Sequence, residues 1–253
     1  MGAPPDPACP PPVRGDPLPG LGPDSYRQWR ASTAGAIAEQ LERDLVLGLI
    51  GDVAGRRVLD VGCGDGVLAL ELRRRGAEVT AIDLSQAMIA AARQRALKQR
   101  ADVGLAVAEV ARLPFAPQSF DLVTAITILC FVADAAPVFD ELARVLRPGG
   151  RLVIGELNKW SSWAAARRLR AWLGSPLWRK ARFRTAGELR ALARGAGLQP
   201  AALRGAVYFP RAAAAARLLA PWDGTLGRLT TAGAAFLALS AIKQPVSRGP
   251  RLR

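Results

Sequence analysis

Val58-Leu59-Asp60-Val61-Gly62-Cys63-Gly64-Asp65-Gly66 is the stretch on which the fold turns. An apolar run carrying one acid opens into G-x-G-x-G, and an amphipathic segment follows from Leu68 to Arg75. Glycines at that place permit a tight strand-to-helix turn and let the backbone approach a bound nucleoside without side-chain interference. Alone, such a loop is equally a plain turn or a seat for a nicotinamide or flavin cofactor. The next acid at a strand end narrows the reading. Asp83 closes Val79-Thr80-Ala81-Ile82-Asp83, where a carboxylate can accept hydrogen bonds from ribose hydroxyls or cap the helix that follows.

Outward from this loop, short apolar runs alternate with longer amphipathic ones, the pattern of βαβ units on a parallel sheet. Strands are expected at Arg57–Val61, Glu78–Ile82, Val103–Ala108, Phe120–Ala125 and Arg151–Gly155. Helices are expected at Leu68–Arg75, ended by Gly76, at Ala87–Gln99, and at Val138–Leu146, stopped by Pro148, Gly149 and Gly150. Upstream, a helical pattern begins at Asp24, with Asp24 or Ser25 as its cap and Ile37, Leu41, Leu45 and Leu49 on one face, and is expected to cover the site. Beyond Glu156 the rhythm loosens into a tryptophan- and arginine-rich stretch from Trp160 to Arg184, a helix near Ala186–Ala196 and an apolar run around Ala206–Phe209. Ala234–Ile242 is the last strand. Residues Met1 to Pro23, crowded with proline and glycine, read as a disordered tail.

Composition bounds the function. A chain of 253 residues that is 50% hydrophobic buries one substantial core. It has no uninterrupted apolar run long enough to span a bilayer and no secretory leader pattern, so a cytoplasmic protein without a transmembrane segment is expected. Three cysteines (Cys9, Cys63 and Cys130) and no histidine give no zinc-ligand spacing, and no metal is expected. The missing histidine also removes the commonest general base and any Ser-His or Cys-His pair. The formal charge of +14 points to nucleic acid, an anionic surface or an acidic substrate, or merely to solvated helix faces, since the arginines are scattered.

With these residues in place, the chain resembles the class I S-adenosylmethionine (SAM)-dependent methyltransferases, in their ubiquinone/menaquinone-biosynthesis-like branch. VLDVGCGDG (Val58–Gly66) resembles the first motif of that family more closely than a dinucleotide loop. VAEVARLPFAPQSFDLV (Val107–Val123) and ELARVLRPGGRLVI (Glu141–Ile154) resemble its later segments, in the right order. The resemblance is dense over Tyr26–Glu156 and implies a Rossmann-like α/β fold: a seven-stranded mixed sheet of order 3-2-1-4-5-7-6 with helices on both faces. It implies one methyltransferase domain from residue 24 to 253, with 24–156 as the SAM-binding core and 157–253 as substrate lid and last strands.

Carried over by position, Asp60, Gly62, Cys63, Gly64 and Gly66 would form the loop around the methionine portion of SAM, and Asp83 would bind ribose. Leu84 would pack on the adenine face, and Glu109 with the Val110 amide would read its edge; Leu84 as ordinary core and Glu109 as a solvated acid are the bland alternatives. After strand four the chain has Cys130 and Phe131 where related proteins often carry a pair of histidines, which makes the substrate side more apolar. Cys130 is a candidate for thiol chemistry or a small buried hydrophobe. Tyr26, Trp29, Thr127, Phe131, Trp160 and Tyr208 are candidates for the acceptor pocket, and Glu156 is the carboxylate nominated as proton acceptor. The implied reaction is in-line transfer of a methyl group to a small lipophilic or aromatic acceptor, by alignment and desolvation. Two rivals stand beside it: a nucleic-acid methyltransferase, suggested by the basic stretch Arg167–Arg184, and a SAM-binding regulatory protein without catalysis.

Overall fold

The computed structural model describes residues 22–245. The expected tail therefore lies outside the described residues up to position 21, and Pro23 already belongs to a helix. In chain order the elements are α1 (Pro23–Ala31), α2 (Thr33–Ile50), β1 (Arg57–Val61), α3 (Val67–Arg74), β2 (Glu78–Asp83), α4 (Gln86–Gln99), β3 (Gly104–Val107) and β4 (Phe120–Ile126). A 3-10 turn (Leu129–Phe131), α5 (Ala136–Val145), β5 (Leu146–Leu157), α6 (Ser162–Trp172), α7 (Pro176–Lys180), α8 (Ala186–Gly195), β6 (Leu198–Ala206), α9 (Ala213–Leu229) and β7 (Phe236–Lys243) follow.

The strands form one seven-stranded sheet of order β3-β2-β1-β4-β5-β7-β6. Pairing is parallel from β3 through β5, and β7 runs antiparallel to both β5 and β6. Alternation along each strand sends neighbouring side chains to opposite faces. Leu59, Val123, Leu152, Ile154 and Leu237 pack with Val138, Phe139 and Leu142 of α5 and Leu189 of α8 on one side. On the other side Val58, Leu122, Val153 and Phe236 pack with Ala38 and Val46 of α2, Leu72 of α3 and Ala216 of α9. With both faces covered, the central strands read as continuous apolar runs, as a parallel sheet requires.

Most boundaries move by one or two residues, and the sequence reading changes more at three places. The single helix expected from Asp24 is two: Gly22 is the N-cap of the first, and Ser32 breaks the run and accepts the Gly35 N–H at 3.1 Å to cap the second. The fifth strand begins at Leu146, before Pro148, because residues 147–150 bulge out between the Phe120↔Leu146 and Leu122↔Arg151 pairs. The loosely patterned end of the chain holds α6, α7, β6 and α9, the last running through Pro221.

Gly155 of β5 lies opposite Ala238 of β7, where there is no room for a side chain. A Cβ there would lie 2.3 Å from Phe236 Cζ, a buried ring that cannot retreat without moving its neighbours. Gly155→Ala is expected to destabilise the fold by about 1–3 kcal/mol through overpacking, read as a lower urea midpoint with unchanged slope.

Candidate active site

The loop after β1 is built on left-handed backbone: Gly62, Gly64 and Gly66 have φ of +68°, +55° and +81°. At Gly62 a Cβ would lie 2.0 Å from Ile128 Cγ2, while at Gly64 it would meet nothing within 4 Å. The first glycine is thus required by packing and the second leaves the backbone open to a ligand. Asp83, at the end of β2, fixes the loop: its Oδ2 accepts the Gly64 N–H at 2.9 Å and its Oδ1 the Ser85 N–H at 2.8 Å. Burial raises the Asp83 carboxyl above its ordinary range while those two N–H donors pull it back. The helix cap falls to Ser85, whose Oγ accepts the Met88 N–H at 3.3 Å, leaving Asp83 with unused lone pairs at the loop. The end of β3 is held beside it by the Ala108 N–H donating to the Asp83 carbonyl at 3.2 Å.

Asp60 lies beneath the loop, and its Oδ1 accepts from Thr124 Oγ1 at 2.7 Å. Its Oδ2 is shut off from solvent and has no partner among the described residues, and burial raises the carboxyl to about 7. Asp60, Gly62, Cys63 and Gly64 border a cavity of about 170 Å³ whose roof is Tyr26, Trp29 and Arg30 of α1. Arg30 clasps roof to loop through a bidentate pair with Asp65 at 2.6 and 2.8 Å, and Arg95 meets the same carboxylate at 2.5 Å. Burial works against the charge on Asp65, but these guanidiniums hold it below the usual carboxylate range.

A second cavity, of about 270 Å³, adjoins the first and shares Tyr26, Trp29, Glu42 and Thr127 with it. Phe131, Leu157, Leu177 and Trp178 give it apolar walls, and Arg167, Arg170 and Arg211 give it charge. Thr127 sits where the two meet, in a left-handed conformation (φ +57°) held by its N–H donating to the Gly155 carbonyl at 2.7 Å. Such a conformation in a β-branched residue stores about 1–3 kcal/mol and is concentrated at working sites. Glu42 is the carboxylate common to both cavities, and burial lifts it to about 7 against the pull of Arg167. The sequence reading missed Glu42. Its signal was the polar set Glu39, Glu42, Arg43 with Val46, at helical spacing beside the apolar face of α2.

The other expected residues fall into two groups. Tyr26, Trp29, Thr127 and Phe131 come together at the second cavity. Glu156 lies deeper, fully buried and outside both cavity walls, where its Oε1 accepts the Leu129 N–H at 2.8 Å. Cys130 is also fully buried; its thiol donates to the Thr127 carbonyl at 3.6 Å, and burial pushes it well above the ordinary thiol range. Tyr208 is placed away from both cavities because its hydroxyl is bound to the Thr230 carbonyl, and Trp160 is 65% exposed on the surface. Leu84, Glu109 and Val110 border neither cavity: Leu84 is 40% exposed, Glu109 is exposed, and Val110 packs against the core.

Residues 59–154 match a family model described as a methyltransferase domain. The ubiquinone biosynthesis O-methyltransferase of Idiomarina loihiensis is 32% identical over 162 residues, 62% of this chain and 67% of that one. The chain belongs to the class I SAM-dependent methyltransferases, in the ubiquinone-biosynthesis-like branch. The enzyme of the same name from Alkalilimnicola ehrlichii is 41% identical over 120 residues, 47% of this chain and 49% of that relative, so the match spans about half the relative's length. Among solved structures, a SAM-dependent methyltransferase from Mesorhizobium loti superposes with a TM-score of 0.61 at 26% identity, covering 83% of this chain and all of that one.

SAM is the cofactor of this family, and the residues present fit it. The ammonium and sulfonium charges of its methionine end suit the orphaned Asp60 Oδ2, and the open face of Gly64 leaves room for backbone contact. The buried acids also set a pH dependence. Asp60, Glu42 and Glu156 are each raised by burial to about 7 from ordinary values of 3.8 and 4.5, so folding favours their protonated forms. Their contribution is complete below the unfolded values and is lost as pH rises towards 7. The acids held low by arginine partners, Asp65, Glu71 and Glu141, act in the opposite sense, and only at lower pH. Thermal unfolding of the free protein is expected to show a higher Tm at pH 5.5 than at pH 8.

Proposed function

We propose that the chain moves a methyl group from SAM to a small, largely apolar and planar acceptor held in the second cavity. The observation that carries this is the shared wall: a molecule lying against Phe131 and Trp178 faces the glycine-loop cavity across Tyr26 and Thr127. The family and the O-methyltransferase names of its relatives support the same reading. When bound, SAM supplies an electrophilic methyl carbon. Residues 24–156 hold it, with Asp83 on the ribose, Leu84 against the adenine, and Glu109 with the Val110 amide at its edge. From the proposed lid, residues 157–253, Leu157, Leu177 and Trp178 join Tyr26, Trp29 and Phe131 of the core as acceptor walls, while β6 and β7 complete the sheet, and the cytoplasm is the proposed place of action.

Catalysis on this reading is mostly placement and exclusion of water. The α1 roof, locked by Arg30 to Asp65, closes the cofactor side, and strained Thr127 keeps the partition between the cavities at a fixed height. Glu42 takes the proton released by a hydroxyl acceptor, since a carboxyl raised to about 7 matches the working pH of a general base. Glu156 acts from below, holding Leu129 and through it the turn that carries Cys130 and Phe131. Cys130 serves as a small buried hydrophobe.

Labelled SAM offered with fractionated cell extract tests the reaction. Label is expected in a solvent-extractable small molecule. Label that disappears on nuclease treatment would assign the acceptor to nucleic acid, and label in neither fraction would favour a SAM-binding regulator. Glu42→Gln is expected to lower kcat by about 10²–10⁴-fold while SAM still binds in a calorimetric titration.

A further inference from the structure

The second cavity contains a cation whose hydrogen-bonding capacity is unused. Arg167 of α6 is gripped between two rings, its Cζ 5.5 Å from the Trp163 centroid and 5.0 Å from that of Trp178. Trp163 cannot yield, because it is buried and its Nε1–H donates to the Phe209 carbonyl at 2.6 Å. Stacking covers the faces of the guanidinium but satisfies none of its N–H groups. Its Nε and Nη1 are shut off from solvent, and among the described residues they find no acceptor and no carboxylate comes within 4.0 Å of the side chain. Burial lowers its pKa to about 10, which still leaves it charged at neutral pH.

Arg167 has company of the same sign. Arg211 sits 4.8 Å over the Trp29 ring and 5.4 Å from that of Trp163, and Arg170 completes the charged side of the same cavity. Against these three cations the cavity sets one carboxylate, Glu42. A purely apolar acceptor would leave the shielded Nε and Nη1 of Arg167 without a partner, which is unfavourable, whereas Arg170 and Arg211 are exposed to water. A carboxylate or phosphate matches the fork of a guanidinium and gives the strong, charge-assisted class of hydrogen bond.

We propose that the acceptor is an aromatic molecule bearing a negatively charged group, and that Arg167 anchors this group while the ring lies between Trp178 and Phe131. The inference rests on the second cavity being the acceptor site. Part of the net positive charge then serves to select an anionic small molecule.

Tryptophan fluorescence reads binding without any turnover, since Trp29 and Trp178 border the cavity. The probes are 2-naphthoate, its neutral isostere 2-naphthamide, and 2-naphthyl phosphate, each titrated into the SAM-saturated protein. Naphthoate or naphthyl phosphate is expected to bind about tenfold tighter than the amide or better, the tighter of the two naming the anion. Arg167→Gln is expected to erase the preference, and Arg167→Lys, which keeps charge but loses the fork, to restore part of it. Equal binding of all three probes by the native protein, or a preference that survives in folded Arg167→Gln, overturns the anchor. If the glutamine variant does not fold, the native titrations and the lysine variant decide. Loss of methyl transfer in extract with the anion preference intact would sink the reaction alone, and methylation restricted to neutral acceptors would sink the anchor alone.

Discussion

One carboxylate ties the site together. Asp83 ends β2 and accepts one N–H from the loop after β1 and one from the turn into α4. Two adjacent strand ends and the start of a helix are thereby locked in register, while the carboxylate keeps acceptor capacity on its outer side. The loop it holds cannot drift inward, because Ile128 fills the space a Cβ would need at Gly62. Both constraints press the Gly64 backbone towards the cavity, and Asp60 lies below it with one oxygen that has no partner among the described residues.

The second cavity follows different physics. Its frame is aromatic: Trp29, Trp163 and Phe209 form successive edge contacts, with centroids 5.4 and 6.3 Å apart. Rings so packed resist rotation, and the arginine heads laid over them are held in place at little further entropic loss. The glycine-loop cavity sets Glu39, Glu42, Asp60 and Asp65 against Arg30 and Arg43, whereas the second cavity sets Glu42 alone against Arg167, Arg170 and Arg211. That contrast suits a cationic methyl donor on one side and an anionic acceptor on the other.

The first half of the fold was legible because its signals are local. The strand-loop-helix pattern at Val58–Gly66, the strand-end acid and the Pro-Gly-Gly stop need only near neighbours to be read, and their boundaries fall within a residue or two. The bulge at 147–150 depends on which strand lies alongside, so it left no periodic trace. β6 contains Pro200, which breaks the expected pattern of a strand, and α9 carries Gly224 and Pro221 within an alanine-rich run. In the site, the loop residues were found through their order in sequence. Glu42 was not, and Arg167 was read only as part of a basic stretch, because their meaning comes from a cavity that brings α2 against α6 and α7, far from it along the chain.

The central role given to Asp83 is open to a direct measurement, calorimetric titration of SAM into Asp83→Ala together with thermal unfolding of the free variant. Removing a charged acceptor from the ribose hydroxyls costs about 1.5–3 kcal/mol, roughly a ten- to 150-fold weaker Kd. That weakening is expected in a variant that still unfolds cooperatively. Asp83→Asn, which keeps the size and one acceptor oxygen for the Gly64 N–H, is expected to fall between the two. Unchanged SAM affinity in well-folded Asp83→Ala would contradict the assignment of this carboxylate and of the cofactor site built around it.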